Sequence, residues 1–169
     1  GDVIGERPID FFLEGFEKMG AMIEETEHEY RVTAKDGLLG ADIFFRWVSV
    51  TATETLMMAA VLAKGQTTLR NVAQEPEVAA LASFLVSAGA RISGVGTPVL
   101  VIEGGSMLRP KKPERVIPDR IETGSFLILG ALAATDLTIT NCEPEHVRML
   151  IELLKRSGVS IEVGENTLR

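Results

Sequence analysis

The sequence predicts an α/β fold, of the α+β kind, built from repeated units of helices and strands. Three segments share one pattern, in which an amphipathic helix ends at a glycine and a β-prone run follows. The glycines are Gly20, Gly89 and Gly158, spaced by 69 residues in both cases. Glycine there supplies the left-handed residue that ends a helix. Because this period is too long for a solenoid repeat, it indicates subdomains packed around a pseudo-symmetry axis.

The first repeat follows a turn that carries charged side chains. An apolar helical run begins at Phe11, directly after a turn at Pro8. Asp2 and Arg7 precede this helix, and the planar guanidinium of an arginine can donate two parallel hydrogen bonds to a carboxylate or phosphate. The turn is therefore a candidate binding site, and a solvated surface is the alternative.

The second repeat begins with a helix over Thr53–Lys64, which stops at Gly65. A strand follows at Thr67–Asn71, and Glu75-Pro-Glu77 opens the next helix. Proline is tolerated in a first helical turn, and acidic side chains there face the positive end of the helix dipole. A strand at Pro98–Glu103 closes the unit.

The third repeat has the same order. Its first helix covers Thr123–Ala134, its strand covers Leu137–Asn141, and Glu143-Pro-Glu145 opens its second helix. The first helices of the second and third repeats are apolar on nearly every side, which predicts that both are buried on every side.

A linker separates these two repeats. The segment Arg109-Pro-Lys-Lys-Pro-Glu114 combines prolines and cations, which suits neither a helix nor a strand. We therefore assign residues 1–112 to two units of one domain, and residues 113–169 to the linker and the first unit of a second domain.

The composition limits the classes of protein to which this chain can belong. The chain has 169 residues, of which 46% are hydrophobic and 24% are charged, as in globular proteins. Its net charge of −7 argues against a nucleic-acid partner, and its apolar runs are too short to span a membrane. The only cysteine, Cys142, excludes an intrachain disulfide and fits a reducing cytosol. Since His28 and His146 lie far apart in sequence, we expect no metal site.

Five stretches together resemble the UDP-N-acetylglucosamine 1-carboxyvinyltransferase family. They are Ile4–Asp10, Trp47–Thr53, Asn71–Glu77, Phe84–Gly94 and Pro118–Gly124. The resemblance implies two similar domains, each made of three βαβαββ-type units around a pseudo-threefold axis, as an inside-out α/β barrel with the active site in the cleft between domains. Family members are much longer and this chain does not begin with Met, so we expect an internal fragment that is inactive by itself.

The resemblance also implies a reaction. The enolpyruvyl group of phosphoenolpyruvate is transferred to the 3′-hydroxyl of UDP-N-acetylglucosamine, with release of phosphate, through a tetrahedral ketal and without a metal or organic cofactor. This is the first committed step of peptidoglycan synthesis in the bacterial cytoplasm. It needs a general acid for the methylene carbon, cations for phosphate and carboxylate, and a base for the hydroxyl.

Two residues acquire catalytic roles from the resemblance. Asp2 falls at the position of a proton donor on a mobile loop, which is cysteine in many members, and Arg7 matches an arginine that contacts phosphoenolpyruvate. An aspartate cannot be alkylated as a thiolate can, so we expect insensitivity to fosfomycin.

Further residues are implied to bind substrate. Asp10 would meet the uridine, Ser49 would lie near the diphosphate, and Asp119 belongs to a domain-junction motif. The complete implied set is Arg7, Pro8, Ile9, Asp10, Phe11, Trp47, Val48, Ser49, Val50, Asp119 and Arg120. Without the resemblance, Ser49 could simply cap the following helix, and a lone tryptophan such as Trp47 is more often a packing residue.

Three positions depart from the family pattern. Trp47 stands where many members have lysine, so one phosphate-binding cation is either lost or supplied by Arg46. Thr51 replaces a frequent glycine, and Gln74 replaces a frequent arginine. These departures would fit a non-catalytic paralogue that binds a UDP-sugar, which is one alternative function.

The other alternative is the same fold acting on shikimate 3-phosphate. The motifs Arg7–Asp10 and Asp119–Gly124 speak against it. Half-domains with exposed apolar faces often pair with a second copy, so a dimer of this chain would be a consequence of truncation.

Overall fold

The computed structural model describes residues 8–27, 29–105 and 107–169. Contacts within the chain divide it into two compact units, Gly1–Glu114 and Arg115–Arg169, called unit 1 and unit 2 below. The assignment of the units to two domains of a larger protein stays a prediction.

Unit 1 contains two groups of strands. Its helices are α1 (Asp10–Lys18), α2 (Val50–Ala60) and α3 (Pro76–Ser87). Its strands are β1 (Met22–Glu25), β2 (Tyr30–Thr33), β3 (Asp42–Phe44), β4 (Gln66–Arg70), β5 (Arg91–Ser93) and β6 (Val99–Glu103). Strands β1 and β2 form an antiparallel pair. The other four form one sheet in the order β3-β4-β6-β5, in which the β3–β4 pair is parallel and the other two pairs are antiparallel.

Helix α2 and the four-stranded sheet share the core of unit 1. Leu56 and Met57 of α2 are fully buried, as are Leu69 of β4 and Ile102 of β6. The helix also contacts α1 and α3. Neighbours in several directions therefore cover most of α2, as its apolar sequence predicts, although Met58 remains 47% exposed.

Unit 2 is smaller. It contains α4 (Arg120–Ala133), β7 (Ile139–Thr140), a 3₁₀ turn (Pro144–Val147), α5 (Arg148–Arg156) and β8 (Thr167–Leu168). Strands β7 and β8 pair antiparallel. Its core contains Leu127, Cys142, Val147, Ile151, Ile161 and Leu168.

The prediction that α4 is buried on every side is wrong for this structure. Its main contacts within unit 2 are with the 3₁₀ turn and β7. Large apolar side chains elsewhere on the helix remain exposed, namely Ile121, Phe126, Ile128, Leu129 and Leu132. An apolar sequence predicts burial only if enough neighbours are present to cover it.

The helix-stop glycines adopt the predicted conformation. Gly20, Gly89 and Gly158 have φ angles of 86°, 111° and 93°. A strand follows the first two, but the strand predicted after the third is not formed, because residues 159–161 have no ladder partner in unit 2. A strand needs a neighbour to satisfy its backbone groups.

The part of the chain that the structure describes contains no helix long and apolar enough to cross a membrane.

Candidate functional site

The candidate site lies where α1 and α2 begin. After β3, the chain runs through Phe45–Val48 to Ser49, the N-cap residue of α2. The Ser49 hydroxyl accepts a hydrogen bond from the backbone N–H of Ala52 at 3.2 Å. Ser49 is thus a helix cap, the interpretation that needs no ligand, and its predicted contact with a diphosphate stays a prediction.

A buried threonine fixes this start of α2 to the next loop. The Thr53 hydroxyl donates to the carbonyl oxygen of Ser49 at 2.7 Å and accepts from the backbone N–H of Ala73 at 3.1 Å. Thr53 has no exposed surface. Thr53 therefore links Ser49, the residue that precedes α2, to the loop that contains Ala73.

An aromatic contact joins this segment to α1. The rings of Phe11 and Trp47 meet edge to face, with centroids 4.8 Å apart and planes at 87°. Such an arrangement adds attraction beyond the area that it buries. Phe11 is 6% exposed and Trp47 is 52% exposed, so the tryptophan packs with part of its surface and presents the rest to solvent. The two stretches predicted to bind a UDP-sugar thus meet.

Arg46 forms a second link between the same elements. One terminal nitrogen donates to Asp10 Oδ2 at 3.0 Å and to Glu14 Oε1 at 2.7 Å. The guanidinium carbon lies 5.7 Å from the Phe11 ring centroid and 5.2 Å from that of Trp47, within cation–π range. Arg46 is the cation that we considered as a substitute for a lysine at position 47. Its positive charge is already paired with two carboxylates.

The remaining predicted residues of unit 1 differ in accessibility. Pro8 is exposed, Ile9 is 38% exposed and Val48 is 52% exposed, while Val50 is half-buried in the first turn of α2. Asp2 and Arg7, the predicted catalytic pair, lie outside the described residues.

Asp119 and Arg120 belong to unit 2. Asp119 is the N-cap residue of α4, and its Oδ1 accepts from the backbone N–H groups of Ile121 at 2.7 Å and Glu122 at 3.1 Å. Arg120 is the first residue of this helix. Asp119 is thus the counterpart of Ser49, and any substrate contact of either residue of the pair stays a prediction.

Glu77, at the start of α3, lies close enough to Glu54 of α2 to affect its pKa. Burial, followed by the charge of Glu77, raises the pKa of the Glu54 carboxyl above its ordinary value. Glu75 is the N-cap residue of α3, but its side chain makes no capping hydrogen bond. Glu77 lies in the first turn and Glu75 at the N-cap, which agrees with the prediction that these acidic side chains face the positive end of the helix dipole.

Sequence reasoning missed the link through Arg46 to Asp10 and Glu14. Its only sequence signal is the spacing of the two acids, which places them on one face of a helix, one turn apart. Which arginine they meet depends on the packing of α1 beside the segment after β3.

Solved structures of similar fold define the class of fold. The enolpyruvyl transferase NikO from Streptomyces tendae superposes with a TM-score of 0.83 at 24% identity, covering 97% of this chain and 42% of that one. EPSP synthase from Acinetobacter baumannii gives 0.70 at 20% identity, covering 99% and 40%. The chain thus has the fold of part of an enolpyruvyl transferase, as the repeat and the resemblance led us to expect.

The sequence profile of EPSP synthase (3-phosphoshikimate 1-carboxyvinyltransferase) matches residues 1–169. The chain therefore belongs to the EPSP synthase family.

Curated relatives are more similar still. Proteins named UDP-N-acetylglucosamine 1-carboxyvinyltransferase from Solibacter usitatus and Desulfosudis oleivorans are 47% and 48% identical over the whole of this chain. The chain spans about 40% of the length of these relatives.

Proposed function

We propose that the full-length gene product transfers the enolpyruvyl group of phosphoenolpyruvate to the 3′-hydroxyl of UDP-N-acetylglucosamine and releases phosphate. The observation that carries the proposal is the contact between Phe11 and Trp47, which joins the two stretches predicted to bind the UDP-sugar. The names of relatives at 47% and 48% identity support the choice of acceptor. The activity would serve peptidoglycan synthesis in the bacterial cytoplasm.

The geometry of unit 1 suits a nucleotide diphosphate. The carboxylate of Asp10 can accept a hydrogen bond from the imide N–H of uracil. The first turn of α2 presents backbone N–H groups and the positive end of a helix dipole, which favour a diphosphate. The half-exposed Trp47 lies between Arg46, which binds Asp10, and the start of α2 in the sequence, so its indole ring is a candidate surface for the same ligand.

The transfer itself is assigned to Asp2 and Arg7. In the addition step, the 3′-hydroxyl gives its proton to a general base and its oxygen attacks C2 of phosphoenolpyruvate, while Asp2 gives a proton to C3. In the elimination step, a base takes a proton from C3 and the C2–O bond to phosphate breaks, so that phosphate leaves. Arg7 would balance the charge of phosphoenolpyruvate through its planar fork. For Asp2 to act as an acid near neutral pH, closure around the substrate must raise its pKa.

The direct test is phosphate release by the full-length gene product. We expect release from phosphoenolpyruvate with UDP-N-acetylglucosamine as acceptor, and none with shikimate 3-phosphate. Release with shikimate 3-phosphate alone would contradict the proposed acceptor. Release with neither would favour a non-catalytic paralogue that binds UDP-sugars.

Fosfomycin tests the role of Asp2. We expect the wild-type protein to keep its activity after incubation with fosfomycin, because a carboxylate offers no thiolate for the epoxide to alkylate. The variant Asp2→Cys should lose activity irreversibly, with one inhibitor bound per protein by mass spectrometry. Stoichiometric inactivation of the wild type would rule out the assignment.

A further inference from the structure

Arg46 occupies the point at which the two predicted binding stretches meet. Its guanidinium lies against the rings of Phe11 and Trp47, and one of its nitrogens contacts carboxylates on two successive turns of α1. The side chains of Arg46, Asp10 and Glu14 are each about half exposed. The cluster is therefore reachable by a ligand, and the arginine is held in it from several directions.

The charges in this cluster decide which part of a nucleotide Arg46 can serve. One guanidinium faces two carboxylates, so the three side chains together carry one negative charge. A phosphate approaching Arg46 would have to displace a carboxylate and would be repelled by the other. Arg46 is consequently a poor phosphate ligand, although it stands beside the position at which related proteins carry a lysine.

The hydrogen bond from Arg46 goes to Oδ2 of Asp10. This contact fixes the direction of the carboxylate. Within the part of the chain that the structure describes, no hydrogen bond occupies Oδ1, which can therefore accept one from a ligand. A hydrogen bond to a carboxylate is stronger than one to a neutral acceptor, which suits a neutral N–H group of a ligand. The imide N–H of a pyrimidine base is such a donor, and the exposed part of Trp47 offers an apolar surface next to it.

We infer that Arg46 is a positioning residue for the nucleotide base, because it orients Asp10 toward the base, and that it is not a ligand of the diphosphate. This inference rests on the proposed function, since it takes a uridine nucleotide as the ligand. Trp47 in place of lysine removes a contact to the phosphates. On this inference, Arg46 strengthens recognition of the base instead.

The first experiment is steady-state kinetics of Arg46→Gln in the full-length gene product. The Michaelis constant for UDP-N-acetylglucosamine should rise about fivefold, the size expected for a partly exposed charged contact. The turnover number and the Michaelis constant for phosphoenolpyruvate should change less than twofold. Arg46→Lys should recover part of the affinity. Arg31→Gln is the matched control, since Arg31 pairs with Glu29 on an exposed strand and takes no part in the site.

Calorimetric titration with uridine and with UDP distinguishes base from phosphate. Arg46→Gln should weaken the binding of both ligands by the same factor, because both carry the base. If UDP is weakened and uridine is unaffected, Arg46 is a phosphate ligand and the inference is overturned.

A double-mutant cycle tests whether Arg46 acts through Asp10. In the background of Asp10→Asn, Arg46→Gln should raise the Michaelis constant less than twofold further. Full additivity would overturn the inference while leaving the proposed function intact. A wild-type protein that releases no phosphate with UDP-N-acetylglucosamine would instead contradict the proposed function, and the inference with it.

Discussion

Helices α2 and α4 occupy the same place in their repeats, 70 positions apart, and begin in the same way. Ser49 and Asp119 cap them. Thr53 and Thr123, both buried, donate to the carbonyl oxygen of their cap residue at 2.7 Å and 2.8 Å. The surroundings differ, because α2 packs on a four-stranded sheet and two helices, whereas the contacts of α4 in unit 2 leave most of its apolar residues exposed.

The loops after the following strands are also equivalent. Asn71 and Asn141 both have positive φ angles, 59° and 54°. Asn71 donates to the carbonyl oxygen of Phe45 at 3.0 Å, and Asn141 accepts from Arg115 at 2.8 Å. Each asparagine thus binds the segment that precedes its helix. The caps that start the two helices are thus repeated, whereas burial depends on what else is packed nearby.

The largest expected effect is on the free energy of unfolding, and it follows from the difference in burial between α2 and α4. Leu56 and Phe126 are equivalent positions, but Leu56 is 0% exposed and Phe126 is 46% exposed. Leu56→Ala should lower the free energy of unfolding by about 3 kcal/mol through the cavity that it leaves. Phe126→Ala should cost less than about 1 kcal/mol if the side chain is exposed as in this structure. Urea unfolding of the full-length gene product measures both. A large loss for Phe126→Ala would mean that α4 is covered in that protein.

The buried threonines give the next largest difference. Thr53→Val removes the acceptor for the buried N–H of Ala73 and should cost about 2 kcal/mol. Thr123→Val loses one hydrogen bond to Asp119 and should cost about 1 kcal/mol or less. Urea unfolding again supplies the comparison. Equal losses would mean that the bond to Ala73 contributes nothing.

Replacing a buried residue of the third repeat by its equivalent in the second repeat should have a small effect on stability. Cys142 and Val72 are equivalent, and both are 1% exposed. Cys142→Val should therefore change the free energy of unfolding by less than about 1 kcal/mol. Burial also raises the pKa of the Cys142 thiol, so the folded protein should react slowly with a thiol reagent at neutral pH. Rapid labelling of this cysteine without denaturant would show that the core of unit 2 opens easily.

The smallest effect concerns Glu54 of α2. The equivalent position in α4 is Gly124, which carries no charge. The pKa of Glu54 is raised by burial and by Glu77, so ionisation is less favourable in the folded state. Stability should therefore fall as the pH rises from below the ordinary pKa of 4.5 through the raised value. Glu54→Gln should stabilise the protein by a few tenths of a kcal/mol at pH 7. The gain should vanish in acid, and a gain that persists there would exclude this cause.

Local chemistry was the part of the fold that the sequence predicted well. The stops at Gly20, Gly89 and Gly158 and the proline-led opening of α3 need only neighbouring residues to act, and the structure contains them. Two local predictions differ from the structure, since α2 ends at Ala60 rather than at Gly65 and Pro144 opens a 3₁₀ turn before α5. The strand predicted at Leu137–Asn141 shrinks to Ile139–Thr140 because its partner β8 has two residues. The exposure of α4 and the link from Arg46 to Asp10 depend on distant segments, and no local pattern encodes them.

The position of Trp47 has an optical consequence. It is the only tryptophan in this chain, half of its indole faces solvent, and a guanidinium lies 5.2 Å from its ring. The emission of an indole responds to the polarity and charge around it. A ligand that covers this ring should therefore shift or quench its fluorescence. Comparison with Trp47→Phe would isolate that signal, and the protein would report the occupancy of its own site without a label.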